Sequence, residues 1–119
     1  KAECTEEPLR VSVCHCRECQ RRTGSAFSAQ ARFPVGSVTV KGETSTFVRT
    51  ADSGGRLTYQ FCPSCGSTIA YEIDRWPDVI AVPLGAFGDE AFPSPAYSIY
   101  ERRKRPWVSI ADDGVEHHD

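Results

Sequence analysis

The sequence predicts a mainly β domain: short antiparallel strands drawn together at cysteine knuckle turns, with at most a short helix. Three observations predict it. Short runs alternate apolar and polar side chains, as half-buried strands do. No stretch sustains a helical period beyond two turns. Five of the six cysteines fall into two tight clusters, Cys14/Cys16/Cys19 and Cys62/Cys65.

Taken in order, the chain opens on a lone cysteine, Cys4, expected as a small buried or edge residue, and a polar turn, Thr5 to Pro8. Leu9 to Val13 then alternates, with Leu9, Val11 and Val13 on one face, a strand that delivers the first cluster. Successive strand residues face opposite ways, so Cys14 and Cys16 share a side and His15 points to the other. A tight turn or the first turn of a short helix after Cys16 swings Cys19 back onto the same centre. Gly24 fits the position just past the end of that helix.

Phe27 to Phe33 alternates cleanly, with Phe27, Ala29, Ala31 and Phe33 on the buried face and Ser28, Gln30 and Arg32 opposite. Pro34 and Gly36 turn the chain. Val38–Val40 is a short strand. Thr44–Thr50 and Arg56–Phe61, joined across Asp52-Ser53-Gly54-Gly55, read as a hairpin with Leu57, Tyr59 and Phe61 on one face. Thr68–Ile73 and Val79–Leu84 are further strands, Gly85–Pro95 is loop, and Tyr97–Tyr100 is a short strand. Arg102–Arg105 links to Trp107–Ile110, and the polar tail Asp112–Asp119 is expected to fray.

The 119 residues suit one domain, and a 39% hydrophobic, 25% charged composition is that of an ordinary globule. A formal net charge of −2 gives no polyanion-binding footprint, so nucleic acid is a poor partner. No apolar run approaches the ~18 residues of a membrane span, and Lys1-Ala2-Glu3 does not start a signal peptide. The chain reads as cytoplasmic. Without a secretory signal, cysteines two and three residues apart favour metal chelation over disulfides.

Three thiolates around one point suit a tetrahedral Zn²⁺ with sulfurs at roughly 2.3 Å, leaving the fourth position open as catalytic zinc sites do. Cys62-Pro63-Ser64-Cys65-Gly66 is a knuckle by type, strong for metal and weak for catalysis; its two ligands do not complete a structural site. His15 sits between two candidate ligands and is itself a residue type that binds zinc. The strand points it away from the sulfurs, so it is expected behind the ligands or in the core. Arg21 and Arg22 follow the cluster, where they lower thiol pKa values and suit a substrate carboxylate. Arg102–Arg105 suits an anion, though such runs are more often solvated connections. Trp76 and Trp107 are expected in the core or a pocket wall.

Cys14-His15-Cys16-Arg17-Glu18-Cys19-Gln20-Arg21-Arg22-Thr23-Gly24-Ser25-Ala26-Phe27, followed by the later Cys62-Pro63-Ser64-Cys65-Gly66-Ser67, resembles the glutathione-dependent formaldehyde-activating enzyme family, which centromere protein V also resembles. The likeness runs from about Leu9 to Trp107 and includes Pro83-Leu84-Gly85-Ala86-Phe87. It implies a small zinc-stabilised β fold of the Mss4 type. It also implies a catalytic zinc on Cys14, Cys16 and Cys19, and a structural zinc on Cys62 and Cys65 plus an upstream Cys-x-Cys pair. No such pair precedes Cys14 here, so the resemblance implies either a chain lacking its N-terminal strand or a degenerate second site. The implied activity is that of a carbon–sulfur lyase joining a glutathione-like thiol to a small aldehyde. The alternative is a zinc-stabilised module that binds glutathione or a protein partner without turnover.

Overall fold

The computed structural model describes residues 2–87, 94–111 and 114–119. It is mainly β. Ten strands accompany one α-helix among the described residues: β1 Ala2–Cys4, β2 Arg10–Cys14, α1 Arg17–Thr23, β3 Ser28–Pro34, β4 Val38–Val40, β5 Ser45–Thr50, β6 Arg56–Phe61, β7 Thr68–Ile73, β8 Val79–Pro83, β9 Tyr97–Ile99 and β10 Glu116–His117. No helix among the described residues is long and apolar enough to cross a membrane. The chain forms two compact units, 1–9 with 31–90 and 10–30 with 91–119.

In the first unit the pairing is antiparallel. Cys4 sits at the end of β1, opposite Val38 of β4. The expected hairpin forms as β5 and β6, with Phe47 opposite Tyr59. β6 in turn pairs with β7, with a bulge at Gln60/Phe61. Tyr59 and Tyr71 lie directly across from each other with ring centroids 5.1 Å apart. With Leu57 and Ala81 they form a buried cluster. Phe33 is fully buried and meets Phe87 edge-on at 5.6 Å. Trp76 is a pocket wall rather than core: half exposed, it lines a small cavity with Tyr71, Ile73, Val79 and Ala81, and the Arg32 guanidinium lies 4.9 Å from its ring centroid.

The second unit carries the first cysteine cluster, and here the expectation of antiparallel strands fails. β9 lies parallel to β2, with Ile99 opposite Cys14, and β10 lies parallel to β9. The tail is not wholly frayed. The Glu116 N–H donates to the Ala96 carbonyl and the His118 N–H to the Ser98 carbonyl, both at 2.8 Å. Asp112 and Asp113 of that tail, and residues 88–93 of the predicted loop, lie outside the described residues.

Single-face burial of the two strands that build the site also fails. Leu9 precedes β2 and is 61% exposed, whereas Val11, Ser12, Val13 and Cys14 are all buried. On β3, Ser28 and Gln30 are buried although polar. They satisfy each other. The Ser28 hydroxyl donates to Gln30 Oε1 at 2.7 Å, and Gln30 Nε2 donates to Ser12 Oγ at 2.9 Å and the Ser12 carbonyl at 3.2 Å. Buried polar groups tied in this way avoid the desolvation cost that would otherwise exclude them.

Candidate metal centre

The site is built by a strand end, a cap and one helical turn. β2 ends at Cys14. Cys16, with extended backbone at φ −62°, ψ 157°, is the N-cap of α1, and its sulfur accepts from the Cys19 N–H at 3.4 Å. Cys19 then falls on the first turn. Gly24 closes the helix in the left-handed region at φ 67°, its N–H bonded to the Gln20 carbonyl, as its place after the last helical residue predicts. Seven residues are too few for a helix stable by itself. Side-chain anchoring fixes this one. Gln20 Nε2 donates to the His15 carbonyl at 2.7 Å and to the Arg103 carbonyl at 3.1 Å, while its Oε1 accepts from Arg105 Nε at 3.0 Å.

The three sulfurs of Cys14, Cys16 and Cys19 lie within 4.8 Å of one another. A tetrahedral zinc with Zn–S of roughly 2.3 Å sets its sulfurs about 3.8 Å apart. The cluster fits that ion with at most a small contraction. No fourth His, Cys, Asp or Glu joins it among the described residues. A metal held there would keep a coordination position for something other than those side chains.

The electrostatics are those of thiols sharing one negative charge. Hydrogen bonds from Cys14 and Cys16 hold Cys19 far below the ordinary thiol range; burial opposes this, while the Ser28 hydroxyl and the Arg22 charge reinforce it. The same bonds to Cys16 and Cys19, together with burial, push Cys14 up. Cys16 also rises: its bond with Cys14 lowers it, but the bond with Cys19 and burial outweigh that. Such a sulfur set, with one thiolate among three cysteines, is ready for a divalent cation, which binds thiolates and releases the remaining protons.

His15 is fully buried and stands outside the sulfur set, as its place on the strand predicts. Its Nε2 lies 2.9 Å from Ser98 Oγ and its ring packs on Phe27 at 5.8 Å. Of the two arginines after the cluster, Arg22 acts on Cys19 through its charge, whereas Arg21 reaches back to Glu18 at 3.1 Å on the exposed side of the helix. Cys62 and Cys65 form the predicted knuckle turn, with the Gly66 N–H bonded to the Cys62 carbonyl at 2.8 Å and Gly66 at φ 82°. Cys65 is exposed; its hydrogen bond with Ser67 lowers its pKa. Neither cysteine belongs to a group of three potential ligands among the described residues.

Ser28, Ser98 and Gln20 also shape the site, and none of them stands out in the sequence as a functional residue. For Ser28 a signal existed: polar Ser28 and Gln30 alternate on a strand as regularly as its apolar residues do.

The model of the family described as glutathione-dependent formaldehyde-activating enzyme matches residues 1–103. The chain belongs to that family. The match starts earlier than the likeness read from the motifs, taking in β1, and stops before Trp107. No curated protein matched the sequence. The cysteine claw and the knuckle both fall within the family match, whereas Lys104, Arg105 and β10 lie beyond it.

Proposed function

We propose that this member of the formaldehyde-activating family is a zinc-dependent carbon–sulfur lyase. It joins a thiol to formaldehyde and, in reverse, cleaves the S-hydroxymethyl adduct. The observation that carries the reading is the convergence of Cys14, Cys16 and Cys19 on one point, with no fourth ligand among the described residues, in a chain of this family.

The reaction is redox-neutral. The sulfur of R–SH forms a bond to the carbonyl carbon, the C=O π pair moves to oxygen, and the thiol proton ends on that oxygen to give R–S–CH₂–OH. Zinc bound by Cys14, Cys16 and Cys19 would supply a Lewis acid that lowers the substrate thiol's pKa towards neutrality. The chain's own residues prepare the place. Ser28 and Arg22 favour the anionic form of Cys19, Gln20 fixes the helix that carries it, and buried His15 locks the strand side through Ser98.

Glutathione carries carboxylates that a sulfur-rich anionic centre repels, so cationic groups must offset them. Arg22 and Arg21 are assigned that role. The Arg21–Glu18 pair is exposed and worth roughly 0–1 kcal/mol, weak enough to yield to a substrate carboxylate. Cys62 and Cys65 are assigned as two ligands of a second, structural zinc, which needs two more than the described residues bring together there.

The test is exchange spectroscopy by NMR on glutathione and formaldehyde at equilibrium with their adduct. Zinc-loaded protein should accelerate the exchange, and Cys16→Ser should abolish the acceleration. Tight glutathione binding with no acceleration would instead mark a non-catalytic binding module.

A further inference from the structure

The basic run after β9 is tied to the cysteine cluster. Ile99 stands opposite Cys14, and the His15 N–H donates to the Ile99 carbonyl at 3.1 Å. The chain therefore leaves β9 beside the first two cysteines. At that point Tyr100 takes φ 57°, ψ 41°, and among the described residues no other non-glycine has positive φ. Such strain persists only where the surroundings impose it, and it gathers at functional sites. A 3₁₀ turn over Glu101–Arg103 follows, then Lys104, Arg105 and Pro106, and then Trp107, which is 77% exposed.

Gln20 makes the attachment. One end of its amide grips the His15 carbonyl, between two of the cysteines, and the Arg103 carbonyl; the other end accepts from Arg105 Nε. A guanidinium oriented in this way is set next to the residue that follows Cys19. Lys104 lies close enough to His15 for its charge to act there. Exposed Tyr100 and Trp107 flank the four cationic residues with aromatic surface. A net charge of −2 argues against a nucleic-acid surface, while four cations in one short run suit a small anion.

We propose that Tyr100–Trp107 is a recognition arm for the carboxylates of a small acidic thiol, with Arg105 binding one carboxylate and Gln20 as the positioning residue that holds Arg105 beside the cysteines. The inference rests on the thiol–formaldehyde reading above. Arginine suits the role because its planar fork can hold a carboxylate bidentately, where lysine is a point charge.

The test uses zinc-loaded full chain and calorimetric Kd values for two probes, glutathione and uncharged 2-mercaptoethanol. In Arg105→Ala the ratio of the glutathione Kd to the 2-mercaptoethanol Kd should rise at least tenfold. Arg105→Lys should recover part of the loss. Gln20→Ala keeps the arginine but removes its anchor, and it should raise the same ratio. A merely structural role would weaken both thiols together and leave the ratio alone. An unchanged ratio in Arg105→Ala, whose side chain is exposed and whose loss should not prevent folding, overturns the proposal. If the parent fails to accelerate adduct exchange, the lyase reading falls, and the Kd ratio still decides this one.

Discussion

Ser98 Oγ stands 2.9 Å from His15 Nε2, and both residues are fully buried. His15 Nδ1 has no hydrogen-bond partner among the described residues. Burial pushes the His15 pKa down, so the ring is neutral near pH 7 and Ser98 is its polar anchor. Ser98→Ala would strand a buried imidazole with neither nitrogen satisfied. The expected loss is about 1–3 kcal/mol of unfolding free energy, read from urea denaturation. A loss too small to measure would show that the pair does not hold the strand.

The tail should show a pH dependence of its own. Glu101 Oε2 lies 2.6 Å from His117 Nδ1 on β10. Burial raises the Glu101 carboxyl, but the hydrogen bonds with His117 and Ser98 and the charges of His117 and Lys104 prevail, leaving it below its ordinary value. A carboxyl depressed in the folded state contributes stability present in full above its unfolded pKa of about 4.3 and lost as pH falls through its folded value. Glu101→Gln should therefore cost about 1 kcal/mol near pH 6, with the gap to the parent closing as pH drops below about 4. Thermal unfolding across that range checks it; a gap that widens on acidification has the wrong sign.

Arg22→Ala should weaken glutathione by about 1–3 kcal/mol, the range for a hydrogen bond to a charged group, with zinc content intact. Arg21→Ala should cost less, because Arg21 must first leave Glu18. Titration calorimetry on the zinc-loaded variants measures both. Equal affinity in parent and Arg22→Ala would make Arg22 a modulator of Cys19 alone.

The knuckle makes a separate claim on stability. In the presence of zinc, Cys65→Ser should lower the Tm relative to the parent, and a chelator should erase the difference. A difference that survives chelation would assign the effect to the turn itself rather than to bound metal.

Much of this architecture was legible where one residue type dictates local geometry. Gly24 marked the end of α1, the Cys14–Cys16–Cys19 spacing marked the claw, and alternation from Arg56 to Phe61 marked a hairpin strand. What stayed hidden depends on partners distant in the chain. β10 has no strand pattern; it exists because Ala96 and Ser98 offer it carbonyls. Ser28 and Gln30 look solvent-facing until Ser12 is placed beside them. Arg105 looks like part of a solvated link until Gln20, far away in sequence, reaches its Nε. The parallel pairing of β2 with β9 carries no local signature either.

On the proposed function, Cys14, Cys16 and Cys19 together hold one zinc and leave a position for the substrate's sulfur. X-ray absorption at the zinc edge tests it most directly, recorded on protein loaded with one equivalent of zinc, before and after saturating glutathione. Three sulfurs and one lighter ligand are expected at first, with the sulfur count rising once glutathione is added. Four sulfurs in the free protein, or identical spectra with and without glutathione, would contradict it.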